Sequence, residues 1–392
     1  MRVSRSTVAN GLILAFSVSI ALATADWVLG RYKLGHRYFE ALRQGVSFDT
    51  RSRLEFVLDQ RRVGRPNWFL PVSPVHFPPS DPLLVDGQRV LPLGNVANAH
   101  IAGCNEGGFH SSFRTDRFGF RNAGDRWDDA RLRLDFIVGD SFAEGDCVDE
   151  GGSVAEQLGA KGRAVVNLAR RGSGPLMMLA AIREFVRAGG VDRVYWLHCE
   201  ENDLTDIEFE RQDPILVRYL DDPAFEQALV QRQAEVNRVL AAHVEGQIQA
   251  GVRDRRLVLP HLRAAIVQQW RAAKAAGRAT PAERVWRVDL ALFERALTAA
   301  RDEVRAKGGD LVFVYLPHHG RIAGAPLSLS ALHRSDVLAR VGRLGIASID
   351  VEPLMLEFAD PARRFFPLGL NGHYNAAGYR LVADTIAAQP VR

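Results

Sequence analysis

The chain has 392 residues, of which 47% are apolar and 24% charged. This is ordinary usage for a folded chain with one large domain and appendages, and it excludes wholesale disorder. The formal net charge of +4 comes from scattered arginines with no long basic run. Nucleic-acid binders cluster their charge on one element, so that partner class is set aside. Mild basicity fits work beside an anionic membrane or an acidic glycan.

At the N-terminus, Arg2 and Arg5 precede an apolar stretch from about Val8 to Leu29, close to the roughly 20 residues a spanning helix needs. Trp27 and Tyr32 sit where interfacial aromatics would, followed by Arg31 and Lys33. The expectation is an uncleaved single-pass inner-membrane helix over residues 1–30, with the body facing the periplasm. Ala23-Thr24-Ala25 offers the alternative of a cleaved signal segment, and a buried core helix is the plainest reading.

Residues 31–130 read as a polar helical stretch followed by a lead-in rich in Pro, Gly and Asn, which includes Pro71, Pro74, Pro78, Pro79, Pro82 and Pro92. That composition predicts extended, loop-rich chain wrapped on the main domain. An α/β domain is expected over 131–392. Short apolar runs at 132–138, 164–167, 194–197, 310–316 and 346–350 read as five buried strands. Helical patterns at 155–160, 176–188, 331–344 and 376–388 lie between and after them, and a helical insertion spans about 221–307. Alternation of this kind predicts a parallel sheet with helices on both faces, a three-layer α/β/α sandwich whose sites form at the carboxyl ends of the strands.

The chain has three cysteines. Cys104 and Cys147 both lie in Gly-rich, loop-like sequence and are expected to pair if the chain is exported; free thiols are the alternative. Cys199 ends an apolar run and reads as a buried small hydrophobe.

Four segments fall at the expected strand ends: Gly139-Asp140-Ser141-Phe142, Asn167 to Gly172, Glu201-Asn202-Asp203, and Asn371-Gly372-His373-Tyr374-Asn375-Ala376-Ala377-Gly378. Acyl transfer needs a hydroxyl beside a base, donors aimed at the oxyanion, and a base held in one tautomer. Ser141 would be the nucleophile and His373 its general base. The backbone N–H groups of Ser141 and Gly172 and the side-chain amide of Asn202 would form the oxyanion hole.

This order of blocks resembles the SGNH (GDSL-type) hydrolase superfamily over about residues 132–388, interrupted by the insertion. Phe113 to Arg121 resembles a lead-in found in membrane-anchored bacterial members. The resemblance implies an α/β/α sandwich acting on acyl or acetyl esters, with no metal and no cofactor. Many members carry an Asp two or three residues before the His, where this chain has Asn371 and Leu370. Asn371 is therefore taken as the group that holds the His373 ring, through its amide oxygen and without negative charge; Asp350 and Asp360 are candidate distant carboxylates. Glu200 stands where a Gly often precedes the Asn.

The remaining polar residues have plainer readings. Arg170 and Arg171 read as exposed loop arginines, with recognition of an anionic substrate as the alternative. His198, His318 and His319 end strands and read as substrate-facing or satisfied loop histidines. A metal site built from them with Asp140 lacks helical His spacing. The piece from Leu257 to Trp270 reads as packed on the domain, with a membrane-surface role as the alternative. Two functions stay open. One is an esterase or O-acyltransferase whose partner is an acyl ester of an envelope polysaccharide or lipid. The other is a glycan-binding or assembly subunit that keeps the fold with little or no catalysis.

Overall fold

The computed structural model describes residues 5–32, 35–73, 77–122, 124, 127, 133–255, 259, 262, 263, 265–267, 269, 270 and 288–389. Arg2, Lys33, Pro74 and the polar break at 277–281 lie outside them, as does part of the Leu257 to Trp270 piece.

The chain opens with α1 (Arg5–Tyr32), α2 (Gly35–Arg43) and α3 (Arg53–Arg62). Among the described residues no helix is long and apolar enough to cross a membrane, so the expected transmembrane helix is not found. α1 itself has 28 residues. Ile13, Leu14, Phe16, Ile20 and Trp27 of this helix are nevertheless exposed.

The lead-in forms β1 (Trp68–Phe69), β2 (Leu83–Val85), β3 (Gln88–Val90), β4 (His100–Ala102) and β5 (Ser112–Arg114). These make a three-stranded sheet in the order β1-β4-β5 and a β2-β3 hairpin. Two buried arginines fasten the lead-in to the main domain. The Arg170 guanidinium donates to the carbonyls of Val72, Pro92 and Gly94. Arg121 donates to the carbonyls of Gly145, Val148 and Asp149 and pairs with Glu156. Asp116 fixes the turn in between, its carboxylate accepting from the Phe118 and Phe120 N–H groups, the Asn122 amide and the Trp127 indole.

The main domain runs β6 (Leu134–Gly139), α4 (Ser141–Glu144), α5 (Val154–Ala160), β7 (Val165–Asn167), α6 (Pro175–Phe185), β8 (Val191–Cys199), α7 (Asp203–Glu210), α8 (Pro214–Asp221), α9 (Gln233–Arg255) and α10 (Leu290–Ala306). It continues with β9 (Asp310–Leu316), α11 (His319–Ala323), α12 (Arg334–Arg343), β10 (Ala347–Asp350), α13 (Glu352–Leu356), α14 (Pro361–Phe365) and α15 (Ala376–Ala387). Five strands form one sheet in the order β10-β9-β8-β6-β7, every pair parallel.

Successive side chains of a strand point to opposite faces, and each face here has its own core. Phe136, Val138, Val194, Trp196 and Phe313 pack with Leu179 and Ile182 of α6 and Leu297 of α10. Ile137, Tyr195, Leu197, Val312 and Val314 pack with Leu158 of α5 and Val382 and Ile386 of α15. The central strands are therefore buried on both faces, which is why they read as unbroken apolar runs. In the insertion, α9 buries Val236, Leu240, Val244 and Ile248, one apolar stripe at helical spacing.

Candidate active site

Strand order places the first three blocks side by side. β6 lies between β8 and β7, so Ser141 after β6 is flanked by Asn202 after β8 and Gly172 after β7. Asp140 caps α4, its carboxylate accepting from the Phe142 N–H at 2.9 Å. The turn is tight enough that a Cβ on Gly139 would stand 2.5 Å from the Ala143 Cβ and 2.8 Å from the Leu197 carbonyl oxygen. Only glycine fits there. Burial pushes the Asp140 carboxyl up to about 8, with the charge of Asp203 adding to it.

His373 comes from the loop before α15. Asn375 caps that helix, its side chain accepting from the N–H groups of Ala377 and Gly378 at 3.0 and 3.1 Å. Tyr374 is buried and donates to the Pro317 carbonyl. With both neighbours fixed, the His373 ring lies against Phe142, centroids 4.9 Å apart. Its Nε2 is 2.8 Å from the Ser141 Oγ.

The other ring nitrogen faces a residue that sequence reasoning missed. Nδ1 is 3.1 Å from the Glu106 carboxylate, which also accepts the His373 backbone N–H at 2.8 Å. Glu106 lies in the loop between β4 and β5, far upstream of the domain that carries Ser141. Arg37 of α2 stands 3.4 Å from the Glu106 carboxylate and donates to the Glu106 carbonyl at 3.3 Å and to the Asn371 carbonyl. Gly372 makes the approach possible, because a Cβ there would run into the Glu106 carboxylate and the Arg37 guanidinium.

Asn371 therefore does not hold the ring, as the sequence had led us to expect; Glu106 occupies that side of the imidazole. Asn371 is exposed, and its side chain hydrogen-bonds to Glu201. The two distant candidates are engaged elsewhere as well. Asp350 pairs with Arg334, and Asp360 caps α14, accepting from the Arg363 N–H at 3.2 Å.

A disulfide joins Cys104 to Cys147, with Cα atoms 5.0 Å apart. It ties the Glu106 loop to the loop that follows α4, and the Cys147 Sγ is 3.4 Å from the His373 Nδ1. Cys199 is a buried free thiol, which burial pushes well above its ordinary pKa.

Burial alone would lower the His373 pKa. The hydrogen bond the ring donates to Glu106 and the charges of Asp146, Glu106 and Asp140 outweigh it, and the imidazole lies above its ordinary 6.5. Arg171 is paired with Asp146. Neither Arg170 nor Arg171 is an exposed loop residue: the first clamps the lead-in and the second holds a buried carboxylate beside the histidine.

Gly172 takes a positive φ of 72°. Asn202 stands at the start of α7, and its amide donates to Asp206 at 2.6 Å, which leaves one N–H of that amide for another acceptor. A cavity of about 220 Å³ borders Gly172 and Asp206, walled by Phe77, Pro78, Leu91, Met177, Phe209 and Leu216. The three strand-end histidines go to separate partners. His198 lies 2.9 Å from Asp203, His318 lies 3.3 Å from Glu201, and His319 meets the Gly369 carbonyl at 3.0 Å. Glu200 is a buried hub for the Tyr315 hydroxyl, the His318 N–H and Arg321.

No protein-family model and no curated protein matches the chain. Among solved structures, it is similar to a lipolytic protein of the G-D-S-L family from Desulfitobacterium hafniense, at 12% identity and TM-score 0.38, over 65% of this chain and 98% of that one. A lipase/acylhydrolase from Enterococcus faecalis gives 14% identity and TM-score 0.35, over 65% and 94% of the two chains. A G-D-S-L lipolytic protein from Veillonella parvula gives 14% and 0.36, over 66% and 98%.

Proposed function

We propose that the protein is a serine-dependent ester hydrolase or O-acyltransferase of the SGNH kind. One observation carries the reading: a continuous hydrogen-bonded chain from the Ser141 hydroxyl through His373 to the Glu106 carboxylate. Glu106 accepts the Nδ1–H and so leaves Nε2 as the acceptor for the serine proton. Ser141 attacks the ester carbonyl as His373 takes its proton. The tetrahedral oxyanion is met by the N–H groups of Ser141 and Gly172 and the free N–H of Asn202. The imidazolium, steadied by Glu106, returns the proton to the leaving alcohol. Water or an acceptor hydroxyl then releases the acyl group by the same steps in reverse.

The apolar cavity beside Gly172 would receive the acyl arm. Drug-sized ligand sites run roughly 300–1,000 Å³, so a smaller space fits a short chain. The bridge between Cys104 and Cys147 supports an oxidising compartment such as the periplasm. There the acyl ester of an envelope glycan or lipid is the substrate class we favour. A non-catalytic subunit would need no acid on the His373 ring, whereas Glu106 stands there. The test is hydrolysis of a short-chain aryl ester: Ser141→Ala should abolish it, and persistence in that variant would refute the reading.

A further inference from the structure

We propose that reduction of the Cys104–Cys147 bridge converts this corner of the site into a zinc-binding site of two thiolates, the His373 Nδ1 and the Glu106 carboxylate. Ligand atoms of these four residues lie within 4.8 Å of one another. Sulfur, nitrogen and carboxylate oxygen are the donors zinc prefers, four in number and tetrahedral.

The spacing suits that geometry. With bonds of about 2.3 Å to sulfur and about 2.1 Å to nitrogen or oxygen, a tetrahedral ion needs sulfur and nitrogen about 3.6 Å apart, and nitrogen and oxygen about 3.4 Å apart. The Cys147 Sγ is 3.4 Å from the His373 Nδ1, and the Glu106 oxygen is 3.1 Å from it. The two sulfurs, freed of their bond, need only separate.

Both cysteine loops have anchors that do not depend on the bridge. Arg53 holds the Gly103 carbonyl at 2.8 Å, and Asn105 holds the Asp49 carbonyl at 2.7 Å. Arg121 holds the Val148 carbonyl at 3.1 Å, and the Tyr379 hydroxyl holds the Asp146 carbonyl at 3.0 Å. The four ligands therefore stay gathered when the bridge opens.

The chemistry balances. A dithiol gives two electrons and two protons to the bridge, becoming a disulfide as the protein gains two thiols. Zinc then displaces both thiol protons, and the ring proton moves from Nδ1 to Nε2, which frees the Nδ1 lone pair for the metal. With the metal on Nδ1, the neutral ring carries its proton on Nε2, where it faces Ser141 as a donor and cannot act as a base. On the reading that His373 is the base, zinc silences the enzyme reversibly.

The experiment uses the full chain reduced anaerobically with a phosphine, which takes its oxygen from water and does not chelate zinc as a dithiol would. Zinc chloride is added, excess is removed, and bound metal is assayed. The reduced chain should retain one zinc. The oxidised chain and the Cys104→Ser/Cys147→Ser double variant should retain none. Cobalt in place of zinc should give the visible bands and thiolate charge transfer of a tetrahedral thiolate site, a readout on the unmutated chain. Uptake should be equal in Ser141→Ala, so it holds or fails apart from the hydrolase reading. In the unmutated chain, aryl-ester activity should fall at least tenfold with zinc and return with a chelator. No more zinc on the reduced than on the oxidised chain, or full uptake by the double variant, would overturn the proposal.

Discussion

The Glu106 carboxylate accepts two hydrogen bonds from His373, one from the ring at 3.1 Å and one from the backbone N–H at 2.8 Å. The pair fixes both the position of the histidine and the face its ring turns to Ser141. Glu106→Gln should therefore lower kcat for aryl-ester hydrolysis by about 10²- to 10⁴-fold, as loss of the triad carboxylate does in a serine protease, with KM little changed. Asn371→Asp should bring no gain in kcat, because Glu106 already occupies the Nδ1 side of the His373 ring. Steady-state kinetics of the two variants decide between the two acids.

The pH dependence has a definite sign. His373 must be neutral to act as a base, and Glu106 is among the groups that raise its pKa. The acid limb of kcat/KM should fall above pH 6.5 in the parent. In Glu106→Gln it should move to lower pH even as the plateau drops. A pH–rate profile of both proteins checks this; an unmoved limb would separate Glu106 from the titration.

Gly372 is where a side chain cannot be tolerated without displacing the acid. Gly372→Ala should reproduce much of the Glu106→Gln kinetic defect in a protein that still folds, measurable as a loss in kcat with an unchanged circular dichroism spectrum. Retention of parental kcat would mean that the Glu106 contact is dispensable.

The fold was legible because its signals are local. The three central strands carry apolar runs, Phe136 to Val138, Val194 to Leu197 and Leu311 to Leu316, and the blocks that follow β6, β7 and β8 sit at adjacent strand ends. The acid was not legible in the same way. Glu106 reaches His373 across 267 positions, from a loop outside the α/β alternation, and no periodicity marks it. A signal did exist: Glu106 stands two residues after Cys104, and drawing the bridge to Cys147 puts it beside the Ser141 loop. The Phe113 to Arg121 segment shows a resemblance in sequence, but its physical work lies in contacts with distant chain. Arg121 is a buried clamp on the loop after α4. Arg170 and Arg171 misled for the same reason, since loop position says nothing of the carbonyls and carboxylates that fold back over it.

The oxyanion hole gives a prediction about two neighbours. Asn202→Ala should cost about 10²- to 10³-fold in kcat, the usual loss for one oxyanion donor. Asp206→Asn should cost less. It leaves the donor in place and disturbs only the hydrogen bond that orients it. Burial raises the Asp206 carboxyl to about 6, so the parent's orienting carboxylate is ionised above that pH. Equal defects in the two variants would place Asp206 itself in contact with substrate.

The most direct measurement of the central claim is active-site labelling by a fluorophosphonate, followed by peptide mass mapping. An Oγ activated by His373 and Glu106 should be phosphonylated stoichiometrically at Ser141, slowly in Glu106→Gln and not at all in Ser141→Ala. An unlabelled parent protein, or a label that survives in Ser141→Ala, would contradict the account.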